Sequence, residues 1–417
     1  MQTRQSSRYQ TSSCLSRYLG AATVLAVLQA PLSQTALAGT EITDQNLRLA
    51  TQQVPLNPST NAGQTVDIPR IQLAIILDTS NSMDGLIDQT RNQLWQVVNQ
   101  FSSATQNGVT PILEIALFEY GNDSNAENAG FVRMFNRFTR ELDQVSAGLF
   151  SLTTNGGSEY CGFAIETVVN KLQWSRSDSD IKIIFIAGNE SFAQGPVSYR
   201  EAVSLASQQG ISINTIHAGT HREGIDDGWQ TAARLAGGDY MSIDAEQQVV
   251  HIVAPQDVAI AELNAKLNQT YVPYGSEGAD NARRQMEQDE LSSEISAGLM
   301  SQRAVSKSSS FYNNSNWDLV DALNEGEVDE EALVTIEDAQ LPEPMQGLSA
   351  QQKVDYVQEK AAQREVIKQE ISTLSRQRAA FVAAAKHEQL AALPSISDAL
   401  TSAVKKQAQQ KNFVFAR

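Results

Sequence analysis

The stretch Ile71-Gln72-Leu73-Ala74-Ile75-Ile76-Leu77-Asp78-Thr79-Ser80-Asn81-Ser82-Met83 joins an apolar run of strand length to a turn of small polar residues. A run that is apolar at successive positions, not alternate ones, predicts a parallel strand buried on both faces. The acid that ends it and the two serines beyond put a carboxylate and two hydroxyls on alternate residues of a turn. That turn lies at the carboxyl end of a strand, where open α/β sheets hold their ligands. Hard divalent cations choose oxygen donors, and one carboxylate with neutral hydroxyls leaves such an ion able to accept an acid from outside.

Outward from this turn, strand and helix alternate. Leu86, Leu94, Val97, Val98 and Phe101 recur at helical spacing, 110–120 reads as a strand, 131–138 as an edge strand, and 141–152 and 160–174 as helices. A second buried strand over 181–187, a helix over 198–209, a strand over 211–218, a helix over 229–235 and a short strand over 240–243 complete the series. Such alternation predicts an α/β fold: a doubly wound, mostly parallel, Rossmann-like sheet with helices on both faces.

With Asp78-x-Ser80-x-Ser82 after an apolar strand and this order of elements, residues 69–255 resemble a von Willebrand factor type A domain with its metal-ion-dependent adhesion site, of the bacterial secreted type. The resemblance implies that Asp78, Ser80 and Ser82 ligate Mg2+, or else Mn2+ or Ca2+. It further implies a Thr from a second loop, an Asp from a third, and a Glu or Asp of a partner protein at the ion. The second loop would be Thr153-Thr154-Asn155-Gly156-Gly157-Ser158-Glu159, with Ser158 matching the family Thr, Thr154 as the alternate and Glu159 as a further oxygen donor. The third follows the strand over 181–186 and reads Ala187-Gly188-Asn189-Glu190. Gly188 stands where the family has Asp, so Asn189 or Glu190 would take that role. A degenerate domain using the same face without an ion is the alternative.

Beyond residue 255 Gln, Ala, Glu and Lys dominate and strands give way to a helical C-terminal region. Residues 256–345 mix helix with Ser- and Asn-rich pieces around Phe311, Tyr312 and Trp317, aromatics that need a docking site, and close on an acidic run and Leu341-Pro342-Glu343-Pro344. Over 346–417, Ser349 and Gln352 are spaced as a capping box opening a long helix. In it Val357, Ala361, Arg364, Ile367, Ile371, Leu374, Arg378, Phe381 and Ala385 form a stripe, either a coiled-coil seam for self-association or a face packed on its own domain. A shorter helix through Val404 and Ala408 follows, and Phe413-Val414-Phe415 is a terminal strand candidate.

At the other end, Arg4, Arg8 and Arg17 precede an apolar run over 19–28, and Ala36-Leu37-Ala38 has small residues where a signal peptidase cuts. Residues 1–38 therefore read as a signal peptide and the polar 39–68, with Pro55, Pro58 and Gly63, as a linker. The run is too short to cross about 30 Å of hydrocarbon, and no later segment approaches roughly 18 unbroken apolar residues. The expectation is a protein secreted across an inner membrane into a periplasm, with no transmembrane segment after cleavage.

Lys and Arg total 31 against 48 Asp and Glu, a net charge of -17, so the surface repels phosphate backbones and nucleic acid is excluded as a partner. Cys14 leaves with the signal, and Cys161 reads as a small buried residue, or else as an intermolecular disulfide or reactive thiol. His217 and His221 have a spacing seen in zinc sites but read as loop histidines. Neither a Gly-rich phosphate loop nor a Gly-x-Ser-x-Gly elbow is present, and no catalysis is expected. These features predict a protein-binding adhesion or scaffold module, not an enzyme. The rivals are a structural envelope protein acting through its helical tail with a degenerate metal site, an accessory subunit of an enzyme complex and a metal-dependent hydrolase.

Overall fold

The computed structural model describes residues 68–243, 252–388 and 396–415. The expected signal peptide, and all of the linker except Ile68, lie outside the described residues. Strands β1 (Arg70–Asp78), β3 (Ile112–Tyr120), β4 (Arg133–Thr139), β5 (Ile181–Gly188), β6 (Ser212–Ala218) and β7 (Tyr240–Ile243) form one sheet in the order β4-β3-β1-β5-β6-β7. A short strand, β2 (Ala104–Gln106), stands outside it. All neighbours in the large sheet are parallel except β3 and β4, so the strand expected at the edge is the antiparallel one.

The apolar run of β1 divides by parity, as the two-residue period of a strand requires. Ile71, Leu73, Ile75 and Leu77 enter one core, and Ala74 and Ile76 the other. The first core is covered by α1 (Asp84–Phe101) and α2 (Leu142–Phe150), the second by α3 (Cys161–Lys171), α4 (Tyr199–Gln208) and, beyond the short α5 (His221–Asp226), α6 (Trp229–Leu235). β1 lies between β3 and β5, with Asp78 opposite Tyr120 and Leu77 opposite Ala187, so three carboxyl ends meet at one place.

The C-terminal region comprises α7 (Asp257–Asn268), α8 (Gly278–Ile295), α9 (Ala297–Ser308), α10 (Leu319–Glu325), α11 (Glu330–Thr335), α12 (Ala350–Glu388), α13 (Ile396–Gln410) and β8 (Phe413–Phe415). It extends the first core: Leu267, Leu299, Ile371, Val404 and Phe413 belong to the same buried cluster as Leu94 and Phe101 of α1. Phe311, Tyr312 and Trp317 are buried in it, which is the docking their sequence context demanded.

Buried ion pairs join the helices to the sheet domain. Arg303, wholly buried, donates from Nη1 to Asp143 of α2 at 2.5 Å and from Nε to Asp289 of α8 at 2.5 Å. Lys307 donates to Asp289 at 2.9 Å. Against the upward pull of burial, the two cations hold the Asp289 carboxyl well below the usual range, while burial draws the Lys307 ammonium down to about 8.

The long helix opens on the expected capping box, with Ser349 N–H donating to Gln352 Oε1 at 3.0 Å and Gln352 N–H to Ser349 Oγ at 3.4 Å. Of the expected stripe Val357, Arg364, Ile371 and Arg378, seven residues apart, are buried, as are Val354 and Lys353 near the start of the helix, while Phe381 is exposed; the helix packs against α7, α9, α10 and α11 of the same chain. Of the two readings of that stripe, the structure shows the packing within the chain. The two arginines are anchors in it: Arg378 Nε reaches Asp257 Oδ1 at 2.6 Å, and Arg364 Nη1 reaches Asp318 at 2.6 Å and Asp321 at 2.8 Å. Finally α13 packs on α1, β5 and β6, and β8 pairs antiparallel with β2, placing Phe415 opposite Ala104.

Candidate functional site

Asp78 ends β1 fully buried, and its Oδ1 accepts the backbone N–H of Ser80 at 2.8 Å, which curls the turn back over the strand end. Two backbone bonds stitch this turn to the second loop: Asn155 N–H donates to Thr79 O at 3.0 Å and Asn81 N–H to Gly156 O at 3.1 Å. Buried Met83 anchors the turn where α1 begins. Ser80 Oγ and Ser82 Oγ lie 3.4 Å apart, the first buried and the second exposed, so the pattern of alternate residues puts a carboxylate and two hydroxyls together as the spacing predicted.

The third loop reaches the same place. Asn189 Nδ2 donates to Ser82 Oγ at 2.9 Å. The backbone of this loop is held from below: His217 Nε2 bonds Asn189 O at 3.1 Å, and Trp229 Nε1 donates to Glu190 O at 2.8 Å. The Glu190 side chain is exposed. His217 thus supports the loop, and His221, its ring tilted 34° to that of Tyr240 with centroids 5.0 Å apart, faces Ser242.

From the second loop the residue that enters the cluster is Glu159. It is buried, its backbone N–H donates to Gln194 Oε1 at 2.5 Å, and its carboxyl lies against Asp78 and Ser80. Ser158 pairs with Gly121 in an isolated bridge and lines an open groove with Glu127, Tyr160 and Gln194. Thr154 Oγ1 donates to Asp84 Oδ1 at 2.8 Å.

Two glycines make this packing possible. A Cβ on Gly188 would stand 2.2 Å from the Tyr120 hydroxyl and 2.9 Å from Asp78 Oδ2, so no side chain fits where the family carries its third-loop Asp. A Cβ on Gly121, whose φ is +79°, would stand 2.7 Å from Asp78 Oδ1 and 3.0 Å from Glu159 Cγ. Tyr120, which donates to Ala187 O at 3.3 Å and accepts from Cys161 Sγ at 3.6 Å, therefore decides the shape of the site from beneath, a role without any motif to signal it. Cys161 is a buried thiol, and burial pushes its proton affinity up.

Electrostatically the cluster is a pair of acids short of positive charge. Burial raises the Asp78 carboxyl, and burial together with the hydrogen bond and charge of Asp78 pushes Glu159 up to about 9. Asp78 Oδ2, Glu159 Oε2 and Asn189 Oδ1 are buried without hydrogen-bond partners. Among the described residues no three His, Cys, Asp or Glu side chains converge, so the other donors are hydroxyl and amide oxygens. Orphaned oxygens of this hard type fit a divalent cation such as Mg2+, Mn2+ or Ca2+.

A search of the curated proteins finds no match. Among solved structures, proximal thread matrix protein 1 of the mussel byssus is similar at 13% identity and a TM-score of 0.32, over 43% of this chain and 42% of that one, so the match spans less than half of the mussel protein. An aerotolerance-related membrane protein from Bacteroides fragilis is similar at 16% identity and a TM-score of 0.29, over 42% of this chain and 92% of that one. The conserved hypothetical protein BatB from Bacteroides thetaiotaomicron is similar at 16% identity and a TM-score of 0.31, over 42% and 90%. Residues 72–229, from within β1 to the first residue of α6, match the model of the von Willebrand factor type A domain, and this part of the chain is a domain of that type.

Proposed function

We propose that the chain is a protein-binding module, an adhesion or scaffold protein of a bacterial periplasm, whose type A domain engages an acidic residue of a partner through a divalent cation. The observation that carries the reading is the convergence of buried Asp78, with an oxygen lacking any partner, and the hydroxyls of Ser80 and Ser82 at the carboxyl ends of the central strands. Asp78 would hold the ion from below, and Ser80 and Ser82 would face it from the turn, with Asn189 keeping the Ser82 hydroxyl in place. A cation held there supplies a Lewis-acidic position open to an oxygen of the partner. Secretion rests on the arginines and the apolar run of residues 1–38. None of the cluster residues requires a catalytic role.

The test is thermal unfolding of the protein with Mg2+, Mn2+ or Ca2+, beside Asp78→Ala. A ligand at about 100 times its Kd stabilises the native state by roughly 2.7 kcal/mol, a shift of a few degrees. The proposal expects that shift, and expects cation-dependent capture of a partner from envelope extracts, with both lost in Asp78→Ala. A native protein indifferent to all three ions would overturn it.

A further inference from the structure

We infer that Glu159, and no residue of the third loop, is the second carboxylate of the cation site. The inference rests on the metal-dependent reading above and names a ligand that reading leaves open. The third loop puts no buried carboxylate into the cluster. Gly188 has no side chain, and the Tyr120 hydroxyl fills the space one would need. Asn189 is neutral and commits its amide N–H to Ser82, and the Glu190 side chain is exposed while its backbone is tied to Trp229. The second loop, in contrast, sends a carboxyl inward. Glu159 is only 2% exposed and leaves Oε2 buried without a partner, as Asp78 leaves Oδ2.

The two acids converge on one point. The space that a Cβ on Gly121 would take is bounded by Asp78 Oδ1 at 2.7 Å and Glu159 Cγ at 3.0 Å, so glycine there lets both side chains close on the strand end. Gln194 fixes the approach by accepting the Glu159 backbone N–H, which seats the residue just before α3. Two buried carboxylates side by side are costly unless a cation or a proton sits between them. Asp78, Glu159, Ser80 and Ser82 together are an all-oxygen donor set for one hard divalent ion.

Mn2+ titration of the full chain, followed by the loss of the free-ion electron paramagnetic resonance signal, tests the assignment. Wild type is expected to bind one ion, and the isosteric Glu159→Gln to weaken its affinity tenfold or more. Glu159→Asp, which keeps the charge but withdraws it by one methylene, is expected to fall between. Unfolding of each variant without metal, cooperative as in wild type, shows that the change is not loss of fold. Affinity in Glu159→Gln within about twofold of wild type would overturn the assignment while leaving the metal-dependent reading intact. Absence of Mn2+ binding in wild type would overturn both.

Discussion

Replacing Arg364 by Met tests whether the C-terminal helices and the sheet domain unfold as one body. The guanidinium makes five hydrogen bonds: Nη1 to Asp318 Oδ2 at 2.6 Å and Asp321 Oδ1 at 2.8 Å, Nη2 to Asp318 Oδ1 at 3.1 Å and Thr270 O at 2.7 Å, and Nε to Thr270 Oγ1 at 3.1 Å. It also lies 4.1 Å from the Tyr271 ring centroid. Met keeps much of the volume, so the cost falls on two buried carboxylates left without their cation. Removing one partner of a buried pair costs about 3–5 kcal/mol. Because Asp318 still accepts Val272 N–H and Asp321 still accepts Asn314 N–H, the lower half of that range is expected. At about 2 °C per kcal/mol for a chain of this size, Tm should fall by roughly 6–8 °C in one transition. The assay is far-UV circular dichroism of the full chain at pH 7, beside the double variant Arg364→Met/Asp321→Asn, which removes one stranded charge and should recover part of the loss. A fall of less than about 2 °C, or a separate early transition with the main one unmoved, would refute the reasoning.

Four further outcomes follow from the geometry. Gly188→Ala should lower stability by about 1–3 kcal/mol, because its Cβ meets the Tyr120 hydroxyl, and Tyr120→Phe in the same chain should return part of it, both read by urea unfolding. Without metal, stability should be greatest below pH 4.5 as far as Glu159 is concerned. The folded state then retains a proton that the unfolded chain releases above 4.5, so this contribution declines as pH rises through about 9, and Glu159→Gln should flatten the profile measured by denaturant melts across that window. Phe413→Ala, which empties a buried position within the β2–β8 pairing, should cost about 3–5 kcal/mol. A fragment ending at residue 255 should lack the sharp near-UV circular dichroism of the whole, since the core that α1 shares with α13 and Phe413 is then open.

Much of this architecture was legible locally. The unbroken apolar run of β1, its division by parity and the alternation of elements through residue 243 are properties of a few adjacent residues, and the sheet follows them closely. The short strand β2 escaped because it pairs with a strand some 300 residues away, and the six-residue α5 escaped although a local capping box, Thr220 with Glu223, opens it. In the site, Asp78, Ser80, Ser82 and Asn189 come together as their positions implied. Thr154 turns to Asp84 and Ser158 to a groove, and the second-loop residue that enters is Glu159.

The sequence by itself determined which residues share the turn after β1 and, from Val357 to Arg378, which stripe of the long helix is buried, because the periods of strand and helix are set by the backbone; Phe381, read into the same stripe, is exposed. Which acid faces Asp78 depended on the Tyr120 hydroxyl filling the space beside Gly188 and on the room left by Gly121, and these are matters of volume between separate strands. The partner of the arginine-bearing stripe was likewise a tertiary decision. Arg364 and Arg378 look like flaws in an apolar seam until Asp318, Asp321 and Asp257 are brought to meet them, because a buried charge is tolerated only where its counter-charges and hydrogen bonds are already in place.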